Sequence, residues 1–345
     1  MRLTGKRCGK CHVENFLYKQ LSNYVAVFAG ILFLAFLTFA FKSAARCAKS
    51  AKQVGRHQMS ATLRAAIWMT GAIASFTAMA VAGRAVSFDL DTFEIMTYRS
   101  LFGLTIVLIV ARTAGTLPQI SRRHLGIHLI RNMAHFSGQN LWFFALTVIP
   151  LAQVFALEFT TPLWVIMLSP LLLGERLTRI GVTAALIGFV GILIVAQPSA
   201  TPWNAGLFAA ALCAIGFAVS AILTRRLTRT ESITCILFYL TAMQAVFGLI
   251  CAGYDGDIAL PSAQTLPWLV LIGCAGLLAH FCLTSALRIA PASVVMPIDF
   301  VRLPVIAVVG ALFYSEALDP LIFVGAVLIF TGNYLNIRFG QPRHP

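Results

Sequence analysis

Charge is what this 345-residue chain has least of: Asp, Glu, Lys and Arg together make up 11% of it, against 59% hydrophobic residues. A soluble domain of this length needs far more charge on its surface, so composition excludes one. An interfacial protein would show amphipathic helices, whereas the runs here are apolar on all sides. Lysine is missing beyond residue 52, because all six (Lys6, Lys10, Lys19, Lys42, Lys49 and Lys52) lie before it. From Met1 to Arg64 eleven basic residues face one acid, Glu14, so +10 of the formal +14 is local and the other 281 residues carry only +4. Nucleic acid is excluded as a partner, since the basic stretch lacks a recognition fold. A segment drawn to anionic lipid accounts for it.

Catalytic signatures are missing as well. There is no H-E-x-x-H, no G-x-S-x-G, no Gly-rich phosphate loop and no paired-cysteine cluster in the hydrophobic core. Cys8-Gly-Lys-Cys11-His12 has the spacing of covalent haem attachment, but about fifteen surrounding residues cannot bury a porphyrin and no second axial ligand is nearby. The other six cysteines sit in or beside apolar helices, where Cys behaves as a small hydrophobe. No disulfide framework, metal site or cofactor is expected.

Apolar runs of about 20 residues recur, each long enough to cross a hydrocarbon core about 30 Å thick. Helices are expected near 64–83, 93–111, 125–147, 152–173 and 178–197, then near 203–223, 232–252, 265–287, 293–314 and 319–338. Sliding the chain by 141 residues aligns the two sets without a gap: Ala145, Leu146, Pro150, Val154, Phe159, Leu171, Glu175 and Leu177 fall on Ala286, Leu287, Pro291, Val295, Phe300, Leu312, Glu316 and Leu318. Arg84 falls on Arg225, Tyr98 on Tyr239, Gly191 on Gly332 and Glu158 on Asp299. The fold class is therefore all-α and polytopic, with ten transmembrane helices as two five-helix repeats, residues 61–200 and 201–340. An odd number of spans per copy inverts one copy relative to the other. With the first helix starting in the cytoplasm, eleven loop and tail arginines lie inside and only Arg84 outside, which puts both ends of the ten-helix core in the cytoplasm.

Polar residues inside spans are expensive and should face protein or water. On the third helix His128, Arg131 or Asn132, His135 and Gln139 form a stripe at steps of three or four. His128 and Arg131 lie close enough to the helix end to reach headgroups. His135, Gln139 and, in the second copy, His280 are expected to line a cavity. Glu158 and Asp299, matched by the repeat, are placed at similar depths on opposite sides of the midplane. Pro162 follows Glu158 by four residues and frees its carbonyl. Asp299 and Arg302 share a helix face, which allows an internal ion pair. Tyr98, Trp142 and Trp164 would suit a flat or apolar substrate part, and Arg99, Arg302 and His135 an anionic group. Glu175 and Glu316, each at a helix end before the next span, read as caps of exposed amides.

The run L-A-Q-V-F-A-L-E-F-T-T-P-L-W at Leu151 to Trp164, the close L-L-L-G-E-R-L-T-R at Leu171 to Arg179, and the run A-P-A-S-V-V-M-P-I-D-F-V-R-L-P with its Y-S-E-A-L close resemble the EamA-type branch of the drug/metabolite transporter superfamily. The resemblance covers residues 64–338. It implies an inverted-repeat secondary carrier in a bacterial inner membrane, with a cavity lined by the third, fourth, eighth and ninth helices and a Gly/Ser-Glu turn closing each fourth helix. Gly174-Glu175 and Ser315-Glu316 stand there. The expected partners are the lipid bilayer and a small amphipathic metabolite (an amino-acid derivative, vitamin, nucleoside or drug-like compound), with a homodimer left open. The competing reading is an intramembrane enzyme or an accessory subunit without transport.

Residues 1–60 stand apart as a basic extension. Its apolar run, Tyr24 to Phe41, admits three readings: a signal peptide, an eleventh helix, or a stretch outside the working protein. The expectation is that a chain beginning at Met59 inserts and works.

Overall fold

The computed structural model describes residues 61–87, 89–173, 179–196, 204–254, 256–314 and 320–339. The basic extension, the turns holding Glu175 and Glu316, the junction prolines Pro198 and Pro202, and Asp255 lie outside the described residues. Within them every regular element is helical: α1 (Ala61–Val86), α2 (Thr92–Thr113), α3 (Leu125–Val148), α4 (Leu151–Glu158), α5 (Thr161–Leu173), α6 (Arg179–Ala196), α7 (Ala205–Leu227), α8 (Ile233–Ala252), α9 (Leu266–Ile289), α10 (Ala292–Ile298), α11 (Arg302–Tyr314) and α12 (Pro320–Phe339), with single 3-10 turns at Leu117–Gln119 and Asp299–Val301.

Each expected span has a helical counterpart, with α4–α5 and α10–α11 as broken helices. Seven of these segments are long and apolar enough to cross a membrane, and α6 and α12 contain shorter apolar stretches. The third helix, α3, is not among the seven, because His128, Arg131, Asn132, His135, Gln139 and Asn140 interrupt its apolar run. All six are buried, while Leu129, Ile130 and Met133 of the same helix are exposed. That inversion of polarity is what lipid as solvent demands. The chain is an integral membrane protein.

The 141-residue repeat is visible in the packing. The main helix pairs are α1 with α9, α3 with α7, α2 with α8 and α6 with α12. Exchanging the two copies turns the first pair into the second and each of the others into itself, so the packing obeys a pseudo-two-fold relation. Individual contacts obey it too. Arg84 donates to the carbonyls of Leu146 (2.8 Å) and Ile149 (2.5 Å) at the end of α3, and Arg225 donates to Leu287 O at the end of α9. Such cations satisfy carbonyls that a helix end leaves without partners. Asp91 caps α2 through Glu94 N, and the matched Ser232 caps α8 through Cys235 N. Gly191 and Gly332 let α6 and α12 touch: a Cβ on Gly191 would lie 2.6 Å from Gly325 O, and one on Gly332 2.5 Å from Ala184 O. These four positions are again 141 apart.

Candidate functional site

Both broken helices break in the same register. The stretch α4 (Leu151–Glu158) matches residues 292–299, and the restart at Thr161 matches Arg302. Pro162 lacks the N–H that would bond Glu158 O. That carbonyl is not left free, as the sequence suggests, because Thr161 Oγ1 donates to it at 2.5 Å. The breaks bring Glu158 and Asp299 toward the middle of the molecule, where the rings of Phe159 and its repeat mate Phe300 meet edge to face at 5.4 Å.

The two copies differ at the restart, and the difference builds the site. Where the first copy has Thr161, the second has Arg302, whose Nη2 lies 2.6 Å from Glu158 Oε1 and 2.5 Å from Asp299 Oδ2. Trp142 Nε1 donates to the other Glu158 oxygen at 2.7 Å. The Arg302 guanidinium lies 5.0, 4.8 and 5.3 Å from the ring centres of Phe76, Phe155 and Phe159, within cation–π range on each. Arg302 is 2% exposed. The ion pair that the shared face of Asp299 and Arg302 allows is present, and it extends to Glu158 as one ion triad: the breaks aim both carboxylates inward, and the long Arg302 side chain reaches both. Among the described residues, Asp299 Oδ1 has no hydrogen-bond partner.

A cavity opens from this triad, with about 770 Å³ of space between its walls and toward the outside. Of the residues singled out in the sequence, Glu158, Asp299, Arg302, His135, Gln139, His280 and Trp142 line it together. His135 and His280 face each other edge to face at 4.7 Å, and His280 meets Phe76 in the same way at 5.6 Å. Among the described residues, the Nε2 atoms of His135, Gln139 and His280 have no hydrogen-bond partner. Phe217, Thr161, Ser220, Thr224 and Thr284 add apolar and hydroxyl surface.

Three selected residues lie elsewhere. Tyr98 donates its hydroxyl to Ala259 O at 2.7 Å, tying α2 to the loop before α9. Arg99 is buried, borders a separate small cleft with Gln244 and His280, and contacts Met96 Sδ at 3.5 Å. Trp164 packs on the apolar cluster around Met69 and Val165. Conversely, the structure adds Arg131, which the sequence reading sends toward the headgroups. It is 2% exposed and lines the cavity. Its place in the stripe with His135 and Gln139 was the signal that could have found it. Among the described residues no cluster of three or more His, Cys, Asp or Glu could hold a metal ion.

The model of the EamA-like transporter family matches residues 63–197 and again 204–338. A protein named as a riboflavin transporter of Vibrio cholerae serotype O1 is 28% identical over 272 residues, 77% of this chain and 90% of its own length. One named as an S-adenosylmethionine uptake transporter of Rickettsia conorii is 28% identical over 263 residues, 76% of this chain and 88% of its own. One named as a pseudopaline exporter of Pseudomonas aeruginosa is 29% identical over 258 residues, 74% and 89% of the two chains. A crystal structure superposes with a TM-score of 0.65 at 18% identity, covering 80% of this chain and 97% of that one, and so shares the fold.

Proposed function

The chain belongs to the EamA-like transporter family of the drug/metabolite transporter superfamily, a family of transporters and not of enzymes, and on that premise we propose that it is a secondary carrier for a small amphipathic metabolite. It works by alternating access, coupled to protons or to exchange. In this reading ten helices cross the plasma membrane as two inverted repeats with both ends in the cytoplasm. The exchange symmetry of the helix pairs supports the inversion, because five spans per copy reverse the second copy.

The observation that carries the coupling is the Glu158–Arg302–Asp299 triad. Two carboxylates and one guanidinium sum to a formal charge of −1 at a buried place, and a buried net charge is costly unless something neutralises it. A proton or a cationic group of the substrate supplies the missing charge. The acids come from different copies, so a movement of one copy against the other opens or closes the contact through Arg302. Loading and movement are thereby linked, as coupling requires.

The cavity combines aromatic walls, from Phe76, Trp142, Phe159 and Phe217, with hydroxyl, amide and imidazole groups. That mixture fits a metabolite with a flat apolar part and polar ends. Riboflavin and S-adenosylmethionine, named for two of the relatives, are of that kind. The test is purified protein in liposomes with an imposed pH gradient, measuring uptake of radiolabelled riboflavin and S-adenosylmethionine. Accumulation that follows the gradient is expected for a coupled substrate, and passive equilibration of every transported compound would remove the coupling.

A further inference from the structure

Resting on the transporter reading, we propose that Arg131, with Thr224, His135 and His280, forms an anion-docking subsite at the end of the cavity remote from the Glu158–Arg302–Asp299 triad, so that the substrate carries a carboxylate or phosphate group.

The two cavity arginines are treated in opposite ways by the fold. Arg302 has two carboxylates. Arg131, equally buried at 2% exposure, has only neutral partners: its Nε donates to Thr224 Oγ1 at 3.0 Å and its Nη1 to Asn132 Oδ1 at 2.8 Å. Thr224 is held for that task, since its own proton goes to Ser220 O at 2.7 Å and leaves a lone pair toward the guanidinium. Among the described residues no carboxylate pairs with Arg131 and no group accepts a hydrogen bond from its Nη2. Neutral oxygens orient a guanidinium but do not cancel its charge, and buried charges in proteins are paired. The pairing group must then come from the cavity that Arg131 lines.

The neighbours point the same way. His135 and His280 line the cavity, their buried Nε2 atoms have no partner among the described residues, and an imidazole nitrogen can carry the proton an oxyanion accepts. Behind His280, in the adjoining cleft, sits Arg99, a second buried guanidinium, whose side chain donates to the Met96 sulfur. Among the described residues this end of the site is thus cationic without an acid, while the triad end is formally anionic. Arg131 and Trp142, the partner of Glu158, are eleven residues apart on α3, or roughly 16 Å along the helix. A substrate with an anionic group at one end is oriented by that polarity.

The repeat separates this arginine from those that serve the fold. Arg84 and Arg225 recur 141 residues apart with the same helix-end contact. At the positions equivalent to Arg131, His135 and Arg99 the second copy has Ile272, Gly276 and Leu240. A charge needed only to pack the helices would be expected in both copies.

The experiment uses the full chain in lipid nanodiscs and reads thermal shifts with two matched pairs: S-adenosylmethionine against its decarboxylated form, which tests a carboxylate, and flavin mononucleotide against riboflavin, which tests a phosphate. In at least one pair the anionic member should bind wild type at least tenfold more tightly than its partner. Arg131→Gln should lose that preference and Arg131→Lys should keep it. Without ligand, Arg131→Gln should melt no lower than wild type, because an unpaired buried charge has been removed, whereas a purely structural arginine would lower the melting temperature. Equal binding within both pairs, binding by none of the four, a preference that survives in Arg131→Gln, or a ligand-free Arg131→Gln that melts lower would each overturn the proposal. Binding is read without transport, so failure of the transporter reading would appear separately, as anion-selective binding with no flux into liposomes.

Discussion

Arg302 of the second copy donates to Glu158 of the first across 2.6 Å, although the two stand 144 residues apart in the chain. The contact joins the repeats at the floor of the cavity and gives Arg302 two acids to hold at once. Removing Arg302 is therefore worse than removing either acid. Arg302→Met leaves Glu158 and Asp299 facing each other in a buried place, and a loss of about 3 to 5 kcal/mol is expected. Asp299→Asn leaves Arg302 paired with Glu158 and should cost less. Melting of both variants in the same detergent checks the order, and a more stable Arg302→Met would contradict the triad.

Arg84 and Arg225 make matched contacts at the ends of α3 and α9. Replacing either with Met should cost about 1.5 to 3 kcal/mol, the usual worth of a hydrogen bond to a charged group. The losses should be similar for the two sites, with substrate preference unchanged. Melting and competition binding on the two single variants test this. A large loss at one site alone would mean that the symmetry of the contact is not a symmetry of energy.

The spans were legible in the sequence because lipid makes length and apolarity diagnostic, and the break after Glu158 was legible through Pro162. How each helix is rotated was not. A helix apolar on most of its surface has no polar face to show which side turns inward, so nothing in the sequence tells that Tyr98, Arg99 and Trp164 turn away from the cavity. The α3 stripe is the exception. There the polar residues mark the inner face, and only the depth of Arg131 is hidden, because a long side chain can snorkel or fold inward with equal ease. The reach of Arg302 to Glu158 had no local signal, since it depends on how the two copies dock.

Gly191 and Gly332 sit where α6 and α12 touch backbone to backbone. Gly332→Ala would place a methyl group 2.5 Å from Ala184 O, and Gly191→Ala would place one 2.6 Å from Gly325 O. Backbone cannot yield as a side-chain tip does, so each change should cost about 1 to 3 kcal/mol through overpacking. Alanine at Gly126, where an added Cβ meets nothing within 4 Å, is the control and should be neutral or slightly stabilising through helix propensity. Unfolding curves of the three variants decide it.

Orientation can be read directly. Single cysteines at Arg122, Arg226 and Arg338 should be labelled from the cytoplasmic side and one at Asp255 from the outside. Labelling of position 226 from outside together with position 255 from inside would contradict the inverted arrangement.

Glu158→Gln gives the most direct test of coupling, because the amide keeps the shape of the side chain and one oxygen to accept from Trp142, leaves Arg302 to Asp299, and cannot lose and regain a charge. Liposomes holding wild type or Glu158→Gln should be given the same substrate under an imposed proton gradient and, separately, with substrate on both sides and no gradient. Wild type should accumulate substrate against its concentration and also exchange it. Glu158→Gln should exchange but not accumulate, with binding weakened by no more than about tenfold, or about 1.4 kcal/mol. Gradient-driven accumulation by Glu158→Gln at the wild-type level would contradict the account and leave this acid as a tie between the repeats.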